Sequence, residues 1–269
     1  MSLSRPGSGK GALRRLFALG ALCLALCGGC SRESGPATST FNQAREAYLD
    51  GDFAHSRQLY EAYLKSSPAN RANREEAFWR LALISGLSGE GPARNVEVLE
   101  AAIGDFADDQ EKLAVFVPEL ARVLESERQY NKAAEILARY AELDGLPPAE
   151  RASGLLRLAK DYRRLKKLPK AKETLARCLD ITPQTGRESA CRAELALIAA
   201  MENNWAEAAK VLEKLVAGDQ RQDAENLFDL AEAYENLDRK SDAMGIYKEL
   251  LPSYPNRVAL AVRLEQPGK

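Results

Sequence analysis

The chain has 269 residues, 45% of them hydrophobic and 29% charged, with a formal net charge of −1. These proportions are ordinary for a soluble globular protein, and they exclude a membrane helix bundle or a largely disordered chain. The near balance of charge gives no bulk attraction to nucleic acid, and none is expected as a partner.

The first thirty residues are of a different composition. They hold no acidic residue and four basic ones, Arg5, Lys10, Arg14 and Arg15, followed by the apolar run LFALGALCLALC and then Gly28-Gly29-Cys30. A run of about a dozen apolar residues is well short of the roughly 20 that span a bilayer. Small residues follow it, so segment 1–29 reads as a cleaved export signal. Its end resembles the lipobox of bacterial lipoproteins, in which a small residue precedes a cysteine that is acylated and becomes the mature N-terminus. The resemblance makes Cys30 the lipid attachment point, carrying palmitate-type chains. Cys23 and Cys27 each follow a leucine, too bulky for that place, and Cys27 itself stands where the lipobox usually has leucine. The other reading is plain secretion with Cys30 left as a free thiol. Each buried methylene of an acyl chain adds about 0.8 kcal/mol, so several chains on one cysteine would anchor the protein firmly. In lipoproteins of the enteric type, Ser31 in place of aspartate after the cysteine implies the outer membrane, facing the periplasm. Residues 30–40 are expected to be the lipidated cysteine and a flexible tether, SRESGPATST having no apolar anchor. Without the four basic residues of the signal, 39 acidic side chains face 34 basic ones.

From Phe41 onward one pattern returns every 35 to 39 residues. It is a helix ending in a small polar turn, an aromatic or leucine, an alanine three residues on, large apolar residues further along, and often a proline. The copies are FNQAREAYLDGDFAHSRQLYEAYLKSSP, VPELARVLESERQYNKAAEILARYAEL, LLRLAKDYRRLKKLPKAKETLARCLDITP, RAELALIAAMENNWAEAAKVLEKL and LFDLAEAYENLDRKSDAMGIYKELLPSYP. This resembles the tetratricopeptide repeat, a helix pair with a usual period of about 34 residues. Small residues belong where helices approach closely: Ala44, Ala121, Ala159, Ala196 and Ala231 on the first (A) helices, and Ser56, Ala133, Ala171, Ala208 and Ala243 on the second (B) helices. Phe53, Tyr60, Tyr130, Leu137, Leu168, Leu175, Trp205, Leu212 and Tyr247 fill the gaps, and Pro68, Pro183 and Pro255 stop B helices. The stretch REEAFWRLALISGLSGEGPARNVEVLEAAIGDF reads as a degenerate second copy with an irregular turn from Gly86 to Pro92. Pro118 lies either in the first turn of the third A helix or inside a longer helix beginning near Asp109. The expectation is an all-α solenoid over residues 41–256, about six helix pairs in a right-handed superhelix, with a short cap and tail at 257–269.

No catalytic constellation accompanies this array. The single histidine, His55, reads as a solvated residue on the first B helix, and no Cys, His, Asp or Glu cluster has metal-ligand spacing. SGLSGEG joins two helices and has no following lysine, so it is not a phosphate loop. Asp108 and Asp109 read as helix-start carboxylates. The protein is expected not to be an enzyme, with neither cofactor nor metal.

Cys178 and Cys191 lie about equally far from a turn centred near Thr185, so an antiparallel hairpin sets them opposite one another. They form a disulfide, which an exported compartment permits, or serve as two small core residues. The stretch Arg157 to Lys172 holds eight basic residues and one acid. It is a solvated helix face, or a positive patch for an acidic peptide, a lipid head group or an anionic polymer. The repeat register puts Lys160, Arg163 and Arg164 on the inner groove with Arg122. It also puts Phe41, Arg45, Tyr48, Trp79 and Leu83 there, where apolar residues are free for a partner unless the N-terminal segment covers them.

These readings make the protein a lipid-anchored scaffold that binds protein partners of the cell envelope in a concave groove. AYLDGDF at the first turn resembles the repeat lipoprotein of the outer-membrane β-barrel assembly machinery, which implies a role in envelope assembly. The alternatives are a pilotin-like lipoprotein, a protease adaptor, and an exopolysaccharide or cell-wall factor that holds an anionic polymer on the basic patch.

Overall fold

The computed structural model describes residues 36–66, 69–87, 89, 91–181, 187–217 and 223–265. The export segment, Cys30, residues 31–35, Pro68, Pro183, Thr185 and the tail beyond Glu265 lie outside the described residues. Those described form thirteen helices and no strand. In chain order they are α1 (Pro36–Leu49) packed with α2 (Phe53–Lys65), then α3 (Arg71–Leu87) and α4 (Pro92–Asp105), then the packed pairs α5 (Gln110–Ser126) with α6 (Tyr130–Ala141), α7 (Pro148–Arg164) with α8 (Leu168–Ile181), α9 (Glu188–Met201) with α10 (Trp205–Val216), and α11 (Ala224–Asn236) with α12 (Lys240–Leu250). A single short helix, α13 (Arg257–Glu265), closes the chain.

Two boundaries need comment. The expected tether is shorter than its composition suggests, because α1 begins at Pro36. Proline suits a first helical position, where its missing N–H has no intrahelical partner to lose, and the Thr40 hydroxyl donates to the Pro36 carbonyl at 3.0 Å. Of the two readings for Pro118, the longer helix is the one formed. α5 starts at Gln110, with the Asp109 carboxylate accepting the Lys112 N–H at 3.2 Å. Pro118 in its interior withdraws the N–H that the Ala114 carbonyl would otherwise receive.

The turn inside most pairs has one construction. Gly51, Arg128, Lys166, Asn203 and Asp238 take positive φ of 57 to 79°. The next residue's N–H donates back five positions, Asp52 to Ala47, Gln129 to Leu124, Lys167 to Tyr162, Asn204 to Ala199 and Arg239 to Tyr234, at 2.8 to 2.9 Å. That is the Schellman closure, which satisfies carbonyls the helix end leaves free. Asp52 and Asn204 then cap the following helix by accepting the N–H groups of His55 and Glu207. Only the first turn uses glycine. The other four place a side chain in left-handed backbone, a local cost that these repeated hydrogen bonds offset.

The described residues fall into two compact units, through Arg80 and from Leu81. In the first, Ala44 and Ser56 are fully buried and the Ser56 hydroxyl donates to the Ala44 carbonyl at 2.8 Å. Phe41 sits edge-on to Tyr60, with ring centres 5.8 Å apart, and 5.0 Å from Tyr63. In the second unit Ala121, Ala133, Ala159, Ala171, Ala196, Ala208, Ala231 and Ala243 are all buried to within 1% exposure, so paired helices meet there almost backbone to backbone. Its core is a chain of clusters, each shared by neighbouring pairs: Ala141 to Ile198 in one, Ala196 to Leu260 in the next. The link from α6 to α7 is held by Arg151, whose guanidinium donates to the carbonyls of Ala141 and Leu143.

Gly154 marks the closest approach in this link. A Cβ there would stand 2.7 Å from Cδ1 and 2.9 Å from Cε1 of buried Tyr140. Gly154→Ala gains about 1 kcal/mol of helix propensity, against a typical overpacking cost of about 1–3 kcal/mol. The variant is expected to unfold at lower urea than wild type, and an unchanged or higher midpoint would show that the Tyr140 ring moves aside freely.

The Sγ atoms of Cys178 and Cys191 are 2.06 Å apart and the Cα atoms 6.5 Å apart, the latter within the usual span of a disulfide. Both residues are fully buried. A bond closing so short a loop is expected to contribute about 3 kcal/mol by constraining the unfolded chain. Cys178→Ala/Cys191→Ala should lose about that much in denaturant titrations. Unreduced, denatured protein should show no reactive thiol from this pair, and two thiols per chain beyond any from Cys23, Cys27 and Cys30 would rule out the bond.

Candidate functional site

The A helices α5, α7, α9 and α11 of the second unit carry most of the residues whose charge is not used in pairing A with B. Their side chains follow a rule that the repeat register makes visible. The residue four after the crossing alanine of one A helix meets the residue two before the crossing alanine of the next. Glu125 on α5 meets Arg157 on α7 with two contacts, 3.1 Å (Nε to Oε1) and 3.0 Å (Nη2 to Oε2). Arg163 on α7 donates through Nε to Oε1 of Glu194 on α9, and Glu194 is only 3% exposed. Glu235, four after Ala231 on α11, meets Arg263 on α13, a closing helix with no alanine two residues further on. The first unit uses the same positions differently: the Arg80 guanidinium lies over the Tyr48 ring, 4.3 Å from its centre, a cation–π contact.

This ladder corrects the expected groove. Phe41 is 2% exposed and belongs to the α1–α2 core, because the helix that begins at Pro36 turns it inward onto Tyr60 and Tyr63. Arg163 is structural, since a buried carboxylate must be paired. Arg164 bonds Asp161 at 3.2 Å and lies 5.0 Å from the Tyr130 ring centre. Arg122 is exposed but bound to Glu119 on its own helix. Arg45 pairs with Glu76 at 3.0 Å, and Tyr48 packs edge-on to Phe53 beneath Arg80. Trp79 is half-buried, Leu83 is half exposed, and Lys160 has no ion-pair partner among the described residues. Of the eight basic residues from Arg157 to Lys172, Arg157, Arg163, Arg164 and Lys172 are paired with carboxylates, while Lys160, Lys166, Lys167 and Lys170 have no ion-pair partner among the described residues. His55 is exposed, and Cys30 lies outside the described residues.

What sequence reading did not anticipate is a cleft of about 850 Å³ between the first halves of α5 and α7, closed below by the end of α6 and the following loop. Val115, Pro118, Leu137 and Leu146 give it an apolar lining, and Val115 is 47% exposed. Apart from the exposed Gln110 carboxamide, its side-chain donors are engaged. Ser153 donates to the Ala149 carbonyl at 3.0 Å, Arg157 to Glu125 and the Pro118 carbonyl, and the Tyr140 hydroxyl faces Glu150 at 3.5 Å. Burial first, and then the Glu150 charge, push that hydroxyl's pKa up to about 12, so it stays protonated. The only sequence signals of the cleft are Pro118 and the pair Pro147-Pro148, which interrupt the repeat.

Residues 153–185 and 225–257 match a family model described as tetratricopeptide repeat. A tetratricopeptide repeat protein from Parabacteroides merdae superposes with a TM-score of 0.61 over 86% of this chain and 87% of that one, at 16% identity. The fold is a tetratricopeptide-type α-solenoid. PilF of Pseudomonas aeruginosa matches with a TM-score of 0.55, 17% identity, and coverage of 86% and 97%. PilW, described as a widely conserved type IV pilus biogenesis factor, matches at 0.57 and 17%, with coverage of 85% and 98%. At these identities the likeness is one of fold. The comparison with curated proteins finds no match.

Among the described residues the ladder of the tetratricopeptide array has a gap between α9 and α11. Ala200 on α9 occupies the place of the charged partner, and Asp229 on α11 has no ion pair among the described residues. Burial, then the charges of Glu232, Glu225 and Asp223, push the Asp229 carboxyl from 3.8 up to about 6. Fully buried Asp161 is also pushed up to about 6, by burial and then by Glu125, against the opposing pull of Arg164. A raised carboxyl pKa means that the folded chain holds a proton the unfolded chain releases. The associated stability is full below about pH 4 and is lost as pH rises through about 6. Asp229→Asn is expected to melt higher than wild type near pH 7 and equally near pH 4. A difference that does not change with pH would show that Asp229 is not the titrating group.

Proposed function

We propose that this protein is a lipid-anchored scaffold of the bacterial envelope whose A-helix face holds protein partners during outer-membrane or envelope assembly. The observation that carries this reading is the short stretch of sequence from Cys30, at the end of the export-type segment, to Pro36, where the helical array begins. Six residue steps reach at most about 20 Å, so an acylated Cys30 would hold the first helix beside the membrane surface. The tetratricopeptide fold supports protein partners, since helix-pair arrays offer an extended surface rather than one catalytic pocket. Fold alone names no partner. A pilotin-like role is the second reading, favoured by the similarity to PilW, a pilus biogenesis factor.

Two measurements on the full-length chain in its native host test this. Wild type is expected to incorporate labelled palmitate and sediment with membranes, and Cys30→Ser to lose the label. Equal labelling of both would overturn the anchor. Affinity capture from gently solubilised membranes is expected to recover a β-barrel assembly protein, or a secretin if the second reading is right. Recovery of neither would overturn the assembly role.

A further inference from the structure

The cleft between α5 and α7 has a chemistry that narrows its occupant. Among its side-chain donors, Ser153, Arg157 and the Tyr140 hydroxyl are already engaged within the protein, which leaves the exposed, neutral Gln110 carboxamide at its mouth. What its lining does offer at the edge is acceptor and negative: Glu111 on α5, Asp144 in the α6–α7 loop and Glu150 on α7. All three are exposed, and none has an ion-pair partner among the described residues. The only cation in the lining, Arg157, is neutralised by Glu125. Glu111 and Glu150 sit in first helical turns, which stabilises their charge through the helix dipole but supplies no counter-ion.

We propose that this cleft docks an extended segment of a partner protein through an aliphatic or aromatic side chain flanked by lysine or arginine. This rests on the scaffold reading above and specifies the partner's chemistry. The volume, about 850 Å³, falls within the size of sites that bury a side chain or small ligand. Apolar contact with Val115, Pro118 and Leu146 supplies the anchor, and the unpaired carboxylates select for cationic neighbours. Rim charges of this kind act mainly on specificity and on-rate, and their effect falls with salt. An acidic segment would meet three carboxylates and no unpaired cation in the lining, so selection is by repulsion as well as attraction.

The test uses the purified full chain and labelled peptides in fluorescence anisotropy. The probe is acetyl-Gly-Ser-Lys-Leu-Lys-Phe-Gly-Ser-amide, with a second peptide in which both lysines are glutamate and a third in which leucine and phenylalanine are serine. The first is expected to bind at least about tenfold more tightly than the other two, with affinity that falls as salt rises. Val115→Glu, at an exposed position that leaves the core intact, should weaken it about tenfold or more. Glu111→Gln/Asp144→Asn/Glu150→Gln should lose the discrimination between lysine and glutamate peptides. Equal binding of lysine and glutamate peptides, binding unchanged in Val115→Glu with helix content retained, or no binding of any peptide would each overturn the proposal. The scaffold reading fails separately: if Val115→Glu still captures the same envelope partner from membranes, the scaffold stands and this cleft is not its site.

Discussion

The structure depends on how closely two helices can approach. In the first pair and in the third to the sixth, an alanine on each helix, or Ser56 on α2, removes the side chain that would hold the backbones apart, and these residues are at most 1% exposed. The approach lets Tyr60, Leu137, Leu175, Leu212 and Tyr247 reach past the crossing into the next layer, and each pair thereby buries surface it could not bury alone. Dispersion and the hydrophobic effect act through these contacts at short range. Stability is therefore a sum over neighbouring interfaces, and no single central core holds the chain.

A second constraint follows from the first. Once A helices are brought side by side, their polar residues are too close to ignore one another, and the positions four after and two before the crossing alanine become an obligatory pair. Glu125 with Arg157 and Arg163 with Glu194 are opposite in polarity, so a reversed step would set like charges together. Such pairs contribute more to register than to net stability, because desolvation consumes much of the attraction. The same logic reduces the free charge of the basic run: Arg157, Arg163 and Lys172 answer acids on adjacent helices. Where Ala200 breaks the ladder, Asp229 is left with a raised pKa.

The helix pairs and the alanine crossings were legible in the sequence because each is enforced locally, by periodicity, by turn residues and by the need for small side chains, whereas the start of α1 was not and that of α5 was open between two readings. The site was not legible to the same degree. Placing Phe41, Arg163 and Arg164 on an open face assumed that every inner-register position is free, whereas burial and pairing are decided by the neighbouring helix. Phe41 faces Tyr60 and Tyr63 because α1 starts earlier than its polar composition suggested, and Arg163 is claimed by Glu194, a residue 31 positions away. Long-range pairing of this kind leaves no periodic trace. Asp50-Gly51-Asp52, by contrast, announced its turn, since a left-handed residue followed by a capping aspartate is written in two adjacent letters.

The cleft arises where the repeat departs from its own rules. The third A helix carries Pro118 in mid-helix, and the third pair is joined to the fourth through Gly145, Leu146 and two prolines. Family matching begins only beyond this link, at residue 153. Leu146 is 7% exposed, so the loop is pinned into the structure rather than draped over it, and Arg151 fixes its other side by bonding two α6 carbonyls. The opening between α5 and α7 is thus held by a committed loop and a committed arginine, and its apolar lining is preorganised. Preorganisation matters because an ordered site spares a ligand the entropy of shaping it. A sequence that follows local rules elsewhere and breaks them where an apolar cleft gains an acidic rim is spending stability on a surface, and that asymmetry is the physical ground for seeking the partner there.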